Sequence, residues 1–215
     1  PTGALEDSLP YRCPPGVYGA NIEPAEQMSA GCSGPCPAGH FCPIGTSVPM
    51  PCSIGTWCGT GSPMEIVCAA GTYGTRTKMT SQAQCTDCEP GGYCSGGRRN
   101  LCLRNTFNNR TNSHLERDCL TCPLYSTTSL PASTSMQNCT CDPGFKQVPL
   151  PEGGFKCECE PGFAFVEAAP DATPPQPAKC IACTMGTYKQ TLANEQCLAC
   201  PYPRSTTTRP GATSL

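Results

Sequence analysis

Cys36-Pro-Ala-Gly-His-Phe41, Cys52-Ser-Ile-Gly-Thr-Trp57 and Cys68-Ala-Ala-Gly-Thr-Tyr73 repeat one pattern: a cysteine, a glycine three positions on, and an aromatic residue two positions after that. Their first cysteines stand 16 residues apart, as do Cys42 and Cys58, so residues 36–67 read as two compact copies, each with a Cys-x5-Cys loop. Outward from them the pattern recurs as Cys13-Pro-Pro-Gly-Val-Tyr18, Cys88-Glu-Pro-Gly-Gly-Tyr93, Cys102-Leu-Arg-Asn-Thr-Phe107 and Cys183-Thr-Met-Gly-Thr-Tyr188. Two shorter versions are Cys141-Asp-Pro-Gly-Phe145 and Cys159-Glu-Pro-Gly-Phe163. A slot filled by glycine in every copy except one, where Asn105 replaces it, predicts a turn residue at positive φ, because asparagine is the other type that tolerates that region best. The aromatic is expected to pack on the neighbouring disulfide, forming a miniature core in each copy.

Other loops are wider. Cys13 to Cys32, Cys68 to Cys85, Cys102 to Cys119 and Cys183 to Cys197 enclose them, and the last three close on a Cys-x-x-Cys pair: Cys85/Cys88, Cys119/Cys122 and Cys197/Cys200. Ser/Thr-rich tails follow Cys122 and Cys200, and residues 167–179 form a Pro-rich stretch.

Composition agrees with this organisation. Of 215 residues, 21 are Cys, 25 Pro and 22 Gly, a balance that belongs to a disulfide scaffold and not to a chain with one large apolar core. Lys and Arg number 14 against 16 Asp and Glu, without a basic cluster beyond Arg98-Arg99, which argues against a nucleic-acid or anionic-membrane footprint. No apolar run approaches the roughly 20 residues that span a bilayer, so membrane insertion by this segment is not expected.

Cys-x-x-Cys-x-x-Gly-Thr-Tyr, a spacer, Cys-x-x-Cys-Pro, a Ser-Thr-Thr tail and Asn-Cys-x-Cys-x-x-Gly-Phe resembles the ephrin-receptor-like cysteine-rich repeat, best at residues 102–145 and 180–215. That layout is similar to growth-factor-like modules and implies a large extracellular or cell-surface protein of the secretory pathway. The resemblance implies the pairs Cys68/Cys85, Cys102/Cys119, Cys122/Cys139 and Cys183/Cys197. Extending its rule leaves Cys13/Cys32, Cys36/Cys42, Cys52/Cys58, Cys88/Cys94, Cys141/Cys157 and Cys159/Cys180, with Cys42 to Cys52 an open alternative in the compact copies. Cys200 stands where Cys122 does, and the repeat register places its partner outside the chain, near position 217.

The expected fold class is small and disulfide-rich: tandem cysteine-rich modules with short two-stranded ribbons and turns, little helix, elongated. The expected boundaries are a flanking segment 1–12, a module 13–35, two compact copies 36–67, a module 68–101, an ephrin-receptor-like repeat 102–140, growth-factor-like loops with the Pro-rich stretch 141–179, and a second ephrin-receptor-like repeat 180–215.

Competing chemistry is weaker. Cys180-x2-Cys183-x13-Cys197-x2-Cys200 has nearly the spacing of a zinc ribbon, but 17 further cysteines in a glycine-aromatic repeat favour disulfides. His40 and His114 have no nucleophile and carboxylate in any recognised motif, and Asp142, Glu152, Glu158 and Glu160 read as solvated loop charge. Neither catalytic residues, nor a metal, nor a cofactor are expected. Asn109-Arg-Thr111 and Asn138-Cys-Thr140 are acceptor sequons for N-linked sugar, and the Ser/Thr/Pro clusters at 126–135 and 203–214 are candidates for O-linked sugar. The functional expectation is a non-catalytic structural or adhesive extracellular segment, a spacer or the subunit of a surface filament or coat. Its partners would be other protein chains, copies of itself among them. A ligand-binding receptor ectodomain is the second reading.

Overall fold

In a computed structural model of the chain, residues 13–19, 32–171, 174–201 and 207–214 are described; the flanking segment 1–12 and part of the module 13–35 lie outside them. The described residues form ten two-stranded antiparallel sheets and three single-turn 3-10 helices, a small disulfide-rich fold with little helix. The chain divides into two compact units, Pro1–Cys102 with Asn109–Cys119, and Leu103–Asn108 with Leu120–Leu215.

The N-terminal unit holds five ribbons. Val17–Tyr18 pairs with Gly34–Pro35, His40–Phe41 with Met50–Pro51, Thr56–Trp57 with Ile66–Val67, Thr72–Tyr73 with Thr86–Asp87, and Gly92–Ser95 with Arg98–Leu101. The C-terminal unit holds the other five. Thr106–Phe107 pairs with Leu120–Thr121, Ser126–Thr128 with Cys139–Cys141, Phe145–Pro149 with Phe155–Cys159, Phe163–Val166 with Lys179–Ala182, and Thr187–Tyr188 with Leu198–Ala199.

Each aromatic ribbon starts from the same turn, and the sequence states why. The residue after the cysteine accepts, on its carbonyl, the N–H three positions on, as in Thr56 to Ser53 at 3.2 Å and Thr72 to Ala69 at 2.9 Å. Closing that turn places the glycine at φ between +83° and +93° in all eight glycine copies, and Asn105 at +69°. The threonine after the slot doubles the bond: the hydroxyls of Thr72, Thr106 and Thr187 donate to the same carbonyls that their N–H groups reach, at 2.7 to 2.8 Å. Gly-Thr-aromatic is therefore a turn lock followed by two strand residues. A tenth member is Tyr125, at φ +61°, in Cys122-Pro-Leu-Tyr125-Ser-Thr-Thr128, where no glycine signals the slot.

The 3-10 turns Gln82–Gln84, Glu116–Asp118 and Met136–Asn138 each lead directly into a bridged cysteine. Ser135 caps the last by accepting from Gln137 N–H at 3.1 Å while its own N–H donates to Asn138 Oδ1 at 3.1 Å.

The expected aromatic core is corrected by burial. Of the seven aromatics in full copies only Phe107 is buried; Tyr18, Phe41, Trp57, Tyr73, Tyr93 and Tyr188 are half-exposed, because only Phe107 is covered by a cluster of neighbouring apolar side chains. The buried apolar residues are chiefly cysteines. In the N-terminal unit Met79 is the one other buried large apolar side chain among the described residues. The C-terminal unit adds a true cluster in which Phe107, Cys139, Phe155 and Cys157 are lined by Tyr125, Met136 and Phe145. Tyr125 stacks on Phe145 with ring centroids 4.9 Å apart, and Phe165 meets both rings.

Candidate functional site: the clip between modules

Ten disulfides staple the chain with Cα–Cα separations of 5.6 to 6.3 Å: Cys13–Cys32, Cys36–Cys42, Cys52–Cys58, Cys68–Cys85, Cys88–Cys94, Cys102–Cys119, Cys122–Cys139, Cys141–Cys157, Cys159–Cys180 and Cys183–Cys197. In the compact copies each Cys-x5-Cys loop closes on itself, not from Cys42 to Cys52. Of the four cysteines with ribbon spacing, Cys180 and Cys183 are bonded to different partners, and Cys200 carries a free, half-buried thiol. In the compact copies the bridges stay within one copy, so the connection to the next copy rests there on backbone hydrogen bonds.

Those bonds follow a fixed frame counted from the first cysteine of each copy. The carbonyl of the positive-φ residue at the third position accepts the N–H of the cysteine opening the next copy: Cys36 to Gly16, Cys52 to Gly39, Cys68 to Gly55, Cys88 to Gly71, Cys102 to Gly91, Cys122 to Asn105, Cys183 to Gly162 and Cys200 to Gly186, all at 2.8 to 3.0 Å. The N–H at the sixth position then reaches into the following copy. In the N-terminal unit Gly19 donates to Thr46, Cys42 to Ser62, Cys58 to Met79, Gly74 to Gly97 and Cys94 to Ser113; in the C-terminal unit Asn108 donates to Ser133 and Lys189 to Ala212. Each of those acceptors directly follows a residue at positive φ, namely Gly45, Gly61, Lys78, Gly96, Asn112, Ala132 and Gly211.

These positive-φ residues form a clip. Gly45, Gly61, Lys78, Asn112 and Gly211 donate their N–H to the carbonyls of Cys13, Cys36, Cys52, Cys88 and Cys183, at 2.8 to 2.9 Å. The clip also presses on the turn of a still earlier copy. A Cβ on Gly16 would meet Gly61 O at 2.5 Å, one on Gly71 would meet Asn112 O at 2.5 Å, and one on Gly162 would meet Gly211 O at 2.3 Å. Gly16, Gly39, Gly55, Gly71 and Gly162 thus satisfy two demands at once, a positive φ and a backbone lying against the α-carbon.

The sixth position decides what fills the space beneath the clip. In tight copies it is Cys42, Cys58 or Cys94, bonded back to the first cysteine of the copy. In wide-loop copies that cysteine pairs farther away, and the position is held by Gly19, Gly74, Asn108, Thr128 or Lys189, all buried. Thr128 Oγ1 accepts from Asn105 N–H at 3.2 Å, and Thr207 Oγ1 accepts from Gly186 N–H at 3.1 Å, so the Ser/Thr tails supply hydroxyls where other copies use a carbonyl. Lys189, only 2% exposed, donates from Nζ to the carbonyls of Cys159 at 3.2 Å, Phe163 at 2.8 Å and Ala193. Burial lowers its pKa, opposed by the nearby charges of Glu195 and Glu158. Asn194 completes this tie, accepting from Cys159 N–H at 2.9 Å and donating to the Cys157 carbonyl at 3.0 Å. Sequence reading missed the sixth position because its side chains share no chemistry. Counting six residues from each first cysteine is the signal that finds it.

The remaining candidates separate. His114 is exposed, and His40 is half-buried with Nδ1 3.4 Å from the Ala38 carbonyl. Glu158 is a correction: it is buried to 8% exposure and pairs with Lys156 at 2.5 Å, on the face of its strand away from Phe155 and Cys157, where Leu124, Tyr125 and Asn194 stand beside it; Glu160 stays exposed beside Lys146. Among the described residues no group of three or more His, Cys, Asp or Glu side chains is placed to hold a metal ion. Asn109 and Asn138 are both exposed; Asn138 Oδ1 is engaged by Ser135, and Thr140 donates to the Thr127 carbonyl at 3.3 Å. In the Ser/Thr clusters Ser126, Thr128 and Thr207 are buried, with their hydroxyls on the Pro123 carbonyl, Asn105 N–H and Gly186 N–H.

No helix among the described residues is long and apolar enough to cross a membrane. No curated protein sequence matches the chain. Residues 175–215 match the family model described as tyrosine-protein kinase ephrin type A/B receptor-like. That match covers the copy built on Cys183, with its threonine hydroxyl under the turn and its buried lysine. The chain is a tandem, disulfide-stapled cysteine-rich array of extracellular character whose last module is ephrin-receptor-like.

Proposed function

We propose that this chain is a non-catalytic structural or adhesive segment of an extracellular glycoprotein at the cell surface, a stapled spacer or the subunit of a surface filament or coat. The observation that carries this reading is the frame of the clip. Within each compact unit the carbonyls of slot residues and the N–H groups of opening cysteines and sixth-position residues join one copy to the next. Such nearest-neighbour construction makes stability a sum along the array, which suits a load-bearing connector. Its partners are protein chains, including further copies of itself, and covalent sugar at Asn109 is compatible with that asparagine's exposure.

A ligand-binding receptor ectodomain is the second reading, favoured by the family model matched at residues 175–215. Electron microscopy of the native material, isolated without reduction, separates the two. Regular fibres with a repeating subunit support the structural reading; dispersed particles or membrane-bound ectodomains overturn it in favour of the receptor.

A further inference from the structure

Exposure does not separate the two sequons, since Asn109, Thr111, Asn138 and Thr140 are all exposed. What the fold has done with them does. Asn109-Arg110-Thr111 lies outside every strand and 3-10 turn, and among the described residues the Asn109 amide group and the Thr111 hydroxyl have no hydrogen-bond partner. Asn138-Cys139-Thr140 is held at all three positions. Asn138 ends the 3-10 turn, its N–H donating to the Ser135 carbonyl at 3.0 Å and its Oδ1 accepting from Ser135 N–H at 3.1 Å. Cys139, 1% exposed, is bridged to Cys122. Thr140 stands opposite Thr127 in the ladder and donates its hydroxyl to the Thr127 carbonyl at 3.3 Å.

We propose that the folded chain presents Asn109 as its acceptor for N-linked sugar and withholds Asn138, which takes sugar only before the Cys122–Cys139 bridge closes. The reaction joins the anomeric carbon of a glycan to the side-chain amide nitrogen while the bond from that carbon to a polyprenyl pyrophosphate breaks; the pyrophosphate leaves and the amide gives up one proton. A transferase has to draw the asparagine and the hydroxyl two residues on into its own site together. At Asn109 no printed side-chain bond of the sequon's asparagine or threonine stands in the way. At Asn138 the turn has to unwind, the threonine has to leave its strand and the buried cysteine between them has to come out, which its bridge forbids. The order of synthesis sharpens the contrast. Cys122 is already made when Cys139 appears, so closure competes with transfer from the moment this sequon exists, whereas the bridge around Asn109 waits for Cys119, made after its sequon is complete. The proposal rests on the extracellular glycoprotein reading above and assigns its sugar to one asparagine.

The test expresses the full chain behind a secretion signal in cultured eukaryotic cells and maps occupancy at each asparagine by enzymatic deglycosylation in heavy-oxygen water and mass spectrometry. Two treatments delay closure: a pulse of dithiothreitol during synthesis, and Cys122→Ser, which leaves Cys139 of the sequon in place. Both are read on total cell material, so a chain that fails to be exported still counts. Asn109 is expected to be occupied throughout, and Asn138 to stand at about a fifth or less of that level in the untreated wild type and to rise about threefold or more under both treatments. Equal occupancy of the two sites in the untreated wild type, an empty Asn109, or an Asn138 level that either treatment leaves unchanged overturns it. Each of these outcomes is independent of whether the native material forms fibres, so microscopy decides the structural reading separately.

Discussion

The carbonyl oxygen of Lys78 lies 2.7 Å from where a β-carbon on Gly39 would stand, and Lys78 itself sits at φ +59°. One residue is forbidden a side chain by the backbone of the other, and the other tolerates a left-handed conformation to get there. Gly39→Ala is therefore expected to weaken local protection by about 2–4 kcal/mol, combining positive φ with a backbone clash. Lys78→Gly should strengthen it by about 0.5 kcal/mol, the relief of strain less the added chain entropy. Native-state hydrogen exchange at the Gly39 and Lys78 amides, which donate to Cys58 and Cys52, reads both. Unchanged exchange in G39A would mean that the clip contributes nothing.

Lys189 is expected to be irreplaceable by an apolar side chain of similar size. Lys189→Met removes a buried charge, which is favourable by itself, but strips the donor from the carbonyls of Cys159, Phe163 and Ala193. The orphaned acceptors dominate, and the C-terminal unit should lose about 2–4 kcal/mol in non-reducing denaturation. A loss below about 0.5 kcal/mol would show that water reaches those carbonyls in the variant.

Removing bridges should cost according to the loop closed. Cys52→Ser/Cys58→Ser opens a separation of 6 residues and is expected to cost about 2 kcal/mol, against about 3 kcal/mol for Cys159→Ser/Cys180→Ser, which opens 21. The reverse order in denaturant titration would place the main effect in the buried packing of the compact loop. Tryptic mapping without reduction checks the pairing itself.

Acid should loosen the turn before Cys119 in one direction only. The N–H groups of Leu115 and His114 both donate to Asp118 Oδ2 at 2.9 Å and hold its pKa below the ordinary carboxylate value. The folded state therefore binds fewer protons than the unfolded chain in that interval; the contribution is complete above the unfolded value and is lost as pH falls through the folded one. Protection factors at the His114 and Leu115 amides should fall over that window in the wild type. In Asp118→Asn they should start lower and lack the step.

How much of this was legible depends on whether a position is chosen for its side chain or for its backbone. The positive-φ slot could be read because glycine and Asn105 advertise the conformation, and the structure holds every one of those residues there. Tyr125 escaped because its ring is retained for Phe145 and Phe165 while its backbone does what glycine does elsewhere. Lys78 and Ala132 escaped for the opposite reason, being ordinary residues forced left-handed by what they clip. The sixth position left no pattern because a peptide N–H is common to glycine, cysteine, asparagine and lysine alike. The aromatic core was overread, since Phe107 finds Cys139 and Phe155 to cover it and the other copies offer no such neighbour.

The clip always comes from sequence that is made later. Gly61 reaches back to Cys36, Lys78 to Cys52 and Asn112 to Cys88, so a copy emerging from the ribosome can close its own disulfide but stays uncovered until its successor arrives. Folding is thereby expected to be vectorial: in synthesis from the N-terminus each copy is sealed only by the one after it, and its cysteines stay uncovered for as long as synthesis of the next copy takes.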